Sequence, residues 1–84
     1  MPDTSTSSIT IAATDRRGLG GMLADRRRAL GMTQRELEFA SGVPQGKISR
    51  VERGQSYPAL LTLTQIAGAL GLELVLTIQD VPST

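Results

Sequence analysis

The chain has neither cysteine nor histidine, and Phe39 and Tyr57 are the only aromatic residues among its 84 positions. Without cysteine there is no disulfide and no thiolate metal site, and without histidine the Ser–His and Cys–His catalytic pairs are excluded. The acidic residues are scattered and form no evident pair. Two aromatics are also too few to stack bases as single-strand binders do. We therefore expect no catalytic activity, no metal and no cofactor.

Long apolar runs are also missing. None approaches the ~20 residues that a membrane-spanning helix requires, and the opening stretch MPDTSTSS lacks the basic flank and apolar core of a secretory signal. The length suits one small domain with a modest core. We expect a cytoplasmic protein without membrane association.

Positive charge is concentrated in the middle of the chain. All nine basic residues lie between positions 16 and 55, where only four acidic residues occur, so this window carries +5 while the whole chain carries +1. A basic centre with acidic flanks suits contact with nucleic-acid phosphates. A solvated charged surface would give the same pattern, so charge alone leaves both readings open.

Capping residues and apolar spacing predict helices over the central part of the chain. Thr14 or Asp15 caps a first helix, which ends before Gly31. Thr33 caps a second helix, and Glu36 completes its capping box.

A turn at Gly42 leads to a third helix, which starts near Pro44, buries Ile48 and Val51, and ends at Gly54. Helical spacing then resumes in a fourth segment, whose apolar positions are Leu60, Leu63, Ile66, Ala67 and Leu70.

After Gly71 the apolar period changes to two, which predicts a strand over residues 72–80. Its alternating apolar positions are Leu72, Leu74, Leu76 and Ile78. A lone strand cannot satisfy its own ladder hydrogen bonds. It therefore pairs with Ile9–Ile11, a possible short strand within an otherwise flexible segment 1–14, or with the same strand of a second copy. We favour the second copy, although the two solutions can combine, and residues 81–84 are a tail.

The motif positions carry a family resemblance. With Gln34 as the first position, Gly42 is ninth, Val43 tenth, Ile48 fifteenth and Val51 eighteenth. Together with the GMTQ and ISRVERG boxes, this frame resembles the Xre/434-repressor-type helix-turn-helix over residues 15–71. The resemblance implies a mainly α, lambda-repressor-like domain of four to five helices that binds double-stranded DNA.

The ending ALGLELVLTIQD further resembles the HipB-like antitoxins of toxin–antitoxin operons. That resemblance implies a homodimer, joined by its terminal strands, which represses its own operon and binds a HipA-type kinase toxin. A phage-type or regulatory Xre repressor without a toxin is the alternative. A protein-interaction adaptor that has lost DNA binding is a third reading, which the polar third helix disfavours.

The helix-turn-helix frame also assigns candidate roles to residues on an inverted-repeat operator. Base contacts fall at the start of the third helix, on Gln45, Gly46, Lys47 and Arg50. Phosphate contacts fall on Gln34, Thr33, Arg35, Arg53 and Gln55. The resemblance makes Arg27 and Glu52 a structural ion pair between the first and third helices.

Two positions depart from the family pattern. Glu38 stands where alanine is usual, so either the helix crossing is wider or the side chain points outward. Ala59 stands where a fourth-helix serine or threonine cap is usual. Phe39 remains open between a core and a partner-facing role.

Overall fold

The computed structural model describes residues 10–12 and 14–82, and within this part of the chain the regular structure is entirely helical. There are four helices, and their bounds are α1 Arg16–Ala29, α2 Gln34–Ser41, α3 Gln45–Glu52 and α4 Leu60–Ala69. The prediction of a mainly α domain is confirmed, and four helices lie within the predicted range.

Local capping fixes where α1 and α2 begin. The Asp15 carboxylate accepts a hydrogen bond from the Gly18 N–H at 2.8 Å. The Thr33 hydroxyl accepts from the Glu36 N–H at 3.0 Å, and the Glu36 carboxylate accepts from the Thr33 N–H at 2.9 Å. This is the capping box that the sequence predicts. Gly42 ends α2 with a φ of 78°, a left-handed conformation that favours glycine.

All four helices contribute to one core. Its largest fully buried side chains are Leu23, Leu37, Ile48, Val51, Ile66 and Leu70. Val43, in the turn between α2 and α3, is also buried at 2% exposure. Because α3 places Ile48 and Val51 in this core, its remaining face is turned outward.

The packing of α1 on α3 involves backbone as well as side chains. Gly20 is buried in α1, and a side chain at this position would overlap the carbonyl oxygen of Val51. Glycine lowers helix propensity by about 1 kcal/mol relative to alanine. Close approach of α3 is therefore the physical reason for a glycine inside α1.

The side chain of Arg26 extends from α1 to the C-terminal end of α4. Its Nε donates a hydrogen bond to the carbonyl oxygen of Leu70, the C-cap of α4, at 3.0 Å. A cationic side chain at a helix C-terminus satisfies an orphan carbonyl and complements the helix dipole. Arg26 thus joins α1 to the end of α4.

The predicted strand over residues 72–80 is wrong for this structure, because no strand is formed in the described residues. Leu72 and Leu74 are half-buried and pack against the core, whereas Leu76 and Ile78 are 70% and 91% exposed. Beyond Leu72, the segment makes no backbone hydrogen bond to the rest of the described chain. The alternation is real, but a strand requires a neighbouring ladder, and the described segments supply none.

Only part of Ile9–Ile11, the alternative partner strand, lies within the described residues. Ile9 lies outside the described residues, as does most of segment 1–14, and residues 10–12 have no regular structure. In the tail, residues 83–84 also lie outside the described part. The domain limits at 15 and 71 therefore stay a prediction. None of the described helices is long and apolar enough to cross a membrane.

Candidate nucleic-acid interface

The outward face of α3 carries the residues assigned to base contacts. Gly46, Lys47 and Arg50 are exposed, and Gln45 is half-buried. At 1.5 Å per residue, this eight-residue helix is about 12 Å long. It therefore presents a short polar surface, while Ile48 on its opposite face packs in the core.

The N-termini of α2 and α3 meet at a hydrogen bond between two glutamines. Gln45 Nε2 donates to Gln34 Oε1 at 3.0 Å, and each glutamine is the first residue of its helix. Helix N-termini carry partial positive charge and unpaired N–H groups. The structure thus brings a residue assigned to phosphate together with one assigned to bases.

Arg27 and Glu52 form a buried ion pair that joins α1 to α3. The guanidinium donates from Nε to Glu52 Oε2 at 2.7 Å and from Nη2 to Oε1 at 2.9 Å. The two side chains are 9% and 4% exposed. Arg27 Nη1 also donates to the Met32 carbonyl at 2.7 Å, ahead of α2. The two bonds between Arg27 and Glu52 make this a bidentate arginine–carboxylate pair, which is the strong form of such an ion pair.

Gln34 connects this ion pair to the polar surface. Its Nε2 donates to Glu52 Oε1 at 2.9 Å, so Gln34 contacts both Glu52 and Gln45. Among the described residues, no buried side-chain polar atom is left without a hydrogen-bond partner. The arrangement satisfies the requirement that buried polar groups be paired.

The pKa of Glu52 reflects opposing influences. Burial raises this pKa. The hydrogen bonds from Arg27 and Gln34, together with the positive charge of Arg27, lower it by more than burial raises it, so the net shift is downward. The hydrogen bond to Glu52 raises the pKa of Arg27 in spite of burial. Both groups are therefore charged at neutral pH.

The residues assigned to phosphate contacts occupy two places. Thr33, Gln34 and Arg35 lie at the start of α2, and Thr33 and Arg35 are exposed. Arg53 and Gln55 follow α3 and are exposed, and Arg53 Nε donates to the Ser49 carbonyl at 3.3 Å. No hydrogen bond in the described part of the chain joins the two groups.

Sequence reasoning missed the contacts of Gln34 with Glu52 and Gln45. These partners lie 18 and 11 residues away, so no local pattern reports their contact. The available signal was that both glutamines open helices of a motif whose helices are adjacent. The structure also answers two questions that the sequence left open. Phe39 is 94% exposed and therefore does not belong to the core. Glu38 is half-buried and forms no ion pair with another described residue.

The described residues contain no cluster of acidic side chains suited to hold a metal ion. What the structure does contain is a pair of short helices, α2 and α3, joined by a three-residue turn and packed on α1 and α4. The second of these helices shows a polar, basic face. Such a unit defines the helix-turn-helix class of DNA-binding proteins.

Comparison with known proteins agrees with this class. The model of a helix-turn-helix family matches residues 23–76, which is more than half of the chain. The chain therefore belongs to this helix-turn-helix family, and it has the DNA-binding fold of transcriptional regulators.

Similar proteins are regulators. An uncharacterised HTH-type transcriptional regulator, y4dJ of Sinorhizobium fredii, is 40% identical over 70 residues, which are 80% of this chain and 91% of that protein. The restriction-modification controller protein C.AhdI of Aeromonas hydrophila is 36% identical with a TM-score of 0.68, over 70% of this chain and 89% of that one. The clp gene regulator ClgR of Corynebacterium glutamicum is 38% identical with a TM-score of 0.65, over 68% of this chain and 61% of that one.

Proposed function

We propose that this protein is a sequence-specific transcriptional repressor, without catalytic activity, that reads DNA with α3. The observation that carries the proposal is the exposed polar face of α3, which is joined to the start of α2 by the contact between Gln45 and Gln34. The width of the DNA major groove admits an α-helix. Gln45 suits adenine, whereas Lys47 and Arg50 suit guanine, and Gly46 lets the backbone approach the bases.

Phosphate contacts position this helix in the groove. In the proposal, the DNA phosphates on one side of α3 are bound by Thr33, Gln34 and Arg35. Those on the other side are bound by Arg53 and Gln55. The exposure of these residues, apart from the half-buried Gln34, supports the assignment. Such contacts supply affinity that is independent of sequence and falls as salt rises.

The protein acts as a homodimer in this proposal. Support comes from the C-terminal segment, where exposed apolar side chains follow one another; they are Val75, Leu76, Ile78 and Val81. Contiguous exposed apolar surface is typical of an interaction site. A symmetric dimer would place two recognition helices about 34 Å apart, on the two halves of an inverted repeat.

A narrower proposal concerns the biological setting, in the cytoplasm. The resemblance to HipB-like antitoxins suggests that the dimer represses its own promoter and binds a HipA-type kinase toxin. The exposed Phe39 on α2 offers an apolar contact outside the DNA-binding face. Co-expression with the product of a neighbouring kinase-like gene tests this setting, since a stand-alone repressor would form no complex with it.

DNA binding is tested with the promoter upstream of the gene. We expect the wild-type protein to prefer this DNA over random duplex and to lose affinity steeply as salt rises. Arg50→Ala should reduce discrimination by about one order of magnitude, in line with the ~1–3 kcal/mol of a bidentate base contact. Fluorescence anisotropy at two salt concentrations measures both effects.

Arg28→Ala is the matched control for charge. Arg28 is exposed on α1, where it pairs with Asp25 at 3.5 Å, so the same loss of positive charge occurs outside the residues assigned to base contacts. Its discrimination should equal that of the wild type. Equal binding of wild-type protein to promoter and random DNA would contradict the proposed function.

A further inference from the structure

Glu52 lies at the buried end of a hydrogen-bond chain that reaches the DNA-reading surface. Its carboxylate is held by Arg27 at 2.7 and 2.9 Å, and it accepts from Gln34 Nε2 at 2.9 Å. Gln34 Oε1 in turn accepts from Gln45 Nε2 at 3.0 Å. The Glu52 side chain is only 4% exposed, whereas Gln45 belongs to the proposed base contacts.

The chemistry of Glu52 fixes the direction of every bond in this chain. An ionised carboxylate has no hydrogen to donate, so Gln34 must turn its NH2 group toward Glu52. The carbonyl oxygen of Gln34 then faces Gln45, which must donate from its own NH2 group. The orientation of both amides therefore follows from the charge on Glu52.

We propose that Glu52 is a positioning residue for DNA specificity, in addition to joining α1 to α3. With one N–H committed to Gln34, the amide of Gln45 keeps its Oε1 acceptor and a second N–H donor. That pair matches the N6 donor and N7 acceptor of adenine. The inference rests on the proposed function, because it names the base preference of the same site.

The opposite orientation would select a different base. If Gln34 presented its NH2 group to Gln45, the Gln45 oxygen would turn toward Gln34, and the Gln45 NH2 group would take its place opposite the exocyclic group of the base. An N–H donor at that place fits the O6 acceptor of guanine but not the N6 donor of adenine. A buried carboxylate that touches no DNA thus sets the choice of adenine over guanine.

The experiment compares three variants on operators changed one base pair at a time. Gln45→Ala first identifies the base pair that Gln45 reads, as the position where discrimination disappears. Glu52→Gln removes the constraint on Gln34, because a carboxamide can either donate or accept. Arg27→Lys is the matched control, since it weakens the ion pair but leaves the carboxylate facing Gln34.

At the base pair that Gln45 reads, we expect the wild type to favour adenine over guanine by about tenfold or more. Glu52→Gln should reduce this ratio to within about threefold, and Arg27→Lys should preserve it. Both variants will be less stable than the wild type, so a purely structural role would affect them alike. A preserved ratio in Glu52→Gln, or an equal loss in Arg27→Lys, would overturn the inference.

A second variant covers the case in which Glu52→Gln does not fold. Gln34→Met leaves the ion pair of Arg27 and Glu52 intact and removes only the link to Gln45. It should lower affinity for all sequences and also lose the preference for adenine. Retention of the adenine preference by this variant would overturn the inference.

A readout without DNA separates this inference from the proposed function. In NMR spectra of the free protein, the side-chain amide signals of Gln34 and Gln45 should shift in Glu52→Gln and stay in place in Arg27→Lys. If these signals do not shift in Glu52→Gln, the control of both amides by Glu52 is overturned, even if the wild-type protein discriminates between bases. A wild type that shows no base preference overturns the proposed function, and the base choice with it, even if these signals respond.

Discussion

Glu52 differs from the other described acidic side chains in its number of partners, because it accepts three side-chain hydrogen bonds. Removing one member of a buried ion pair costs about 3–5 kcal/mol, because the remaining charge is left without compensation. The same carboxylate therefore contributes to the stability of the domain and orients the amide of Gln34.

Stability should depend on pH through this residue. The pKa of Glu52 is lowered from 4.5 in the folded protein, so the unfolded chain binds protons first as the pH falls. The stabilisation is complete above about pH 4.5, the ordinary pKa that the group regains on unfolding, and it is lost as the pH falls through the folded pKa. Urea unfolding between pH 7 and pH 3 should show this loss.

Two variants separate the contributions to this acid dependence. Glu52→Gln should be less stable at neutral pH and show a shallower fall in acid. The hydrogen bonds from Thr33 also lower the pKa of Glu36, so Glu36→Gln should remove a second, exposed contribution. An acid dependence in Glu52→Gln as steep as that of the wild type would contradict this assignment.

Among the helices, α2 and α4 differ in how their N-termini are satisfied. Thr33 and Glu36 form a reciprocal capping box at α2, whereas Ala59 precedes α4 without any side-chain hydrogen bond. Ala59 has the extended backbone, with φ −60° and ψ 155°, that an N-cap residue adopts. A serine at this position could therefore cap α4 without a change in the backbone.

We expect Ala59→Ser to stabilise the domain by about 1 kcal/mol, since a hydroxyl would accept from an unpaired N–H of the first turn. Thr33→Ala is the matched opposite, because it removes an existing cap and should destabilise by a similar amount. Thermal unfolding measures both changes. A lower melting temperature for Ala59→Ser would show that α4 does not have an available capping site.

Sequence predicted the helices well because their signals are local. The capping box at Thr33 and the left-handed glycine after Ser41 each depend on a few neighbouring residues. The strand over 72–80 failed because alternation specifies which side chains share a face, but a strand also needs a partner. The contacts of Gln34 were missed for a related reason, since its partners are distant in sequence.

At the scale of the whole molecule, the C-terminal segment leaves the protein with an exposed apolar surface. Ile78 is 91% exposed, and a groove of about 1240 Å³ lies between residues 10–12, α1, α4 and residues 71–79. Burial of such side chains on a second copy would contribute about 25 cal/mol for each Å² removed from water. Dimerisation would thereby shield from water the apolar surface that the described residues of one chain leave exposed.

Ile78→Lys should therefore shift the protein from dimer to monomer in sedimentation experiments at micromolar concentration. It should also weaken binding to an inverted repeat far more than binding to a half-site. Phe39→Lys is the matched control, because Phe39 is 94% exposed on α2, outside this segment. A monomeric wild type would contradict the proposed dimer. A dimer that is unchanged in Ile78→Lys would contradict the proposal that the C-terminal segment forms its interface.

The contact of Gly20 with the Val51 carbonyl has a consequence for the DNA as well as for the protein. A side-chain contact can adjust by changing rotamer, but a contact between two backbones cannot. The angle of α3 on α1 is therefore held by backbone contact, and we expect any adjustment between α3 and a bound operator to fall on the DNA. Because the ease of deforming DNA varies with its sequence, we expect base pairs that no side chain touches to contribute to operator choice.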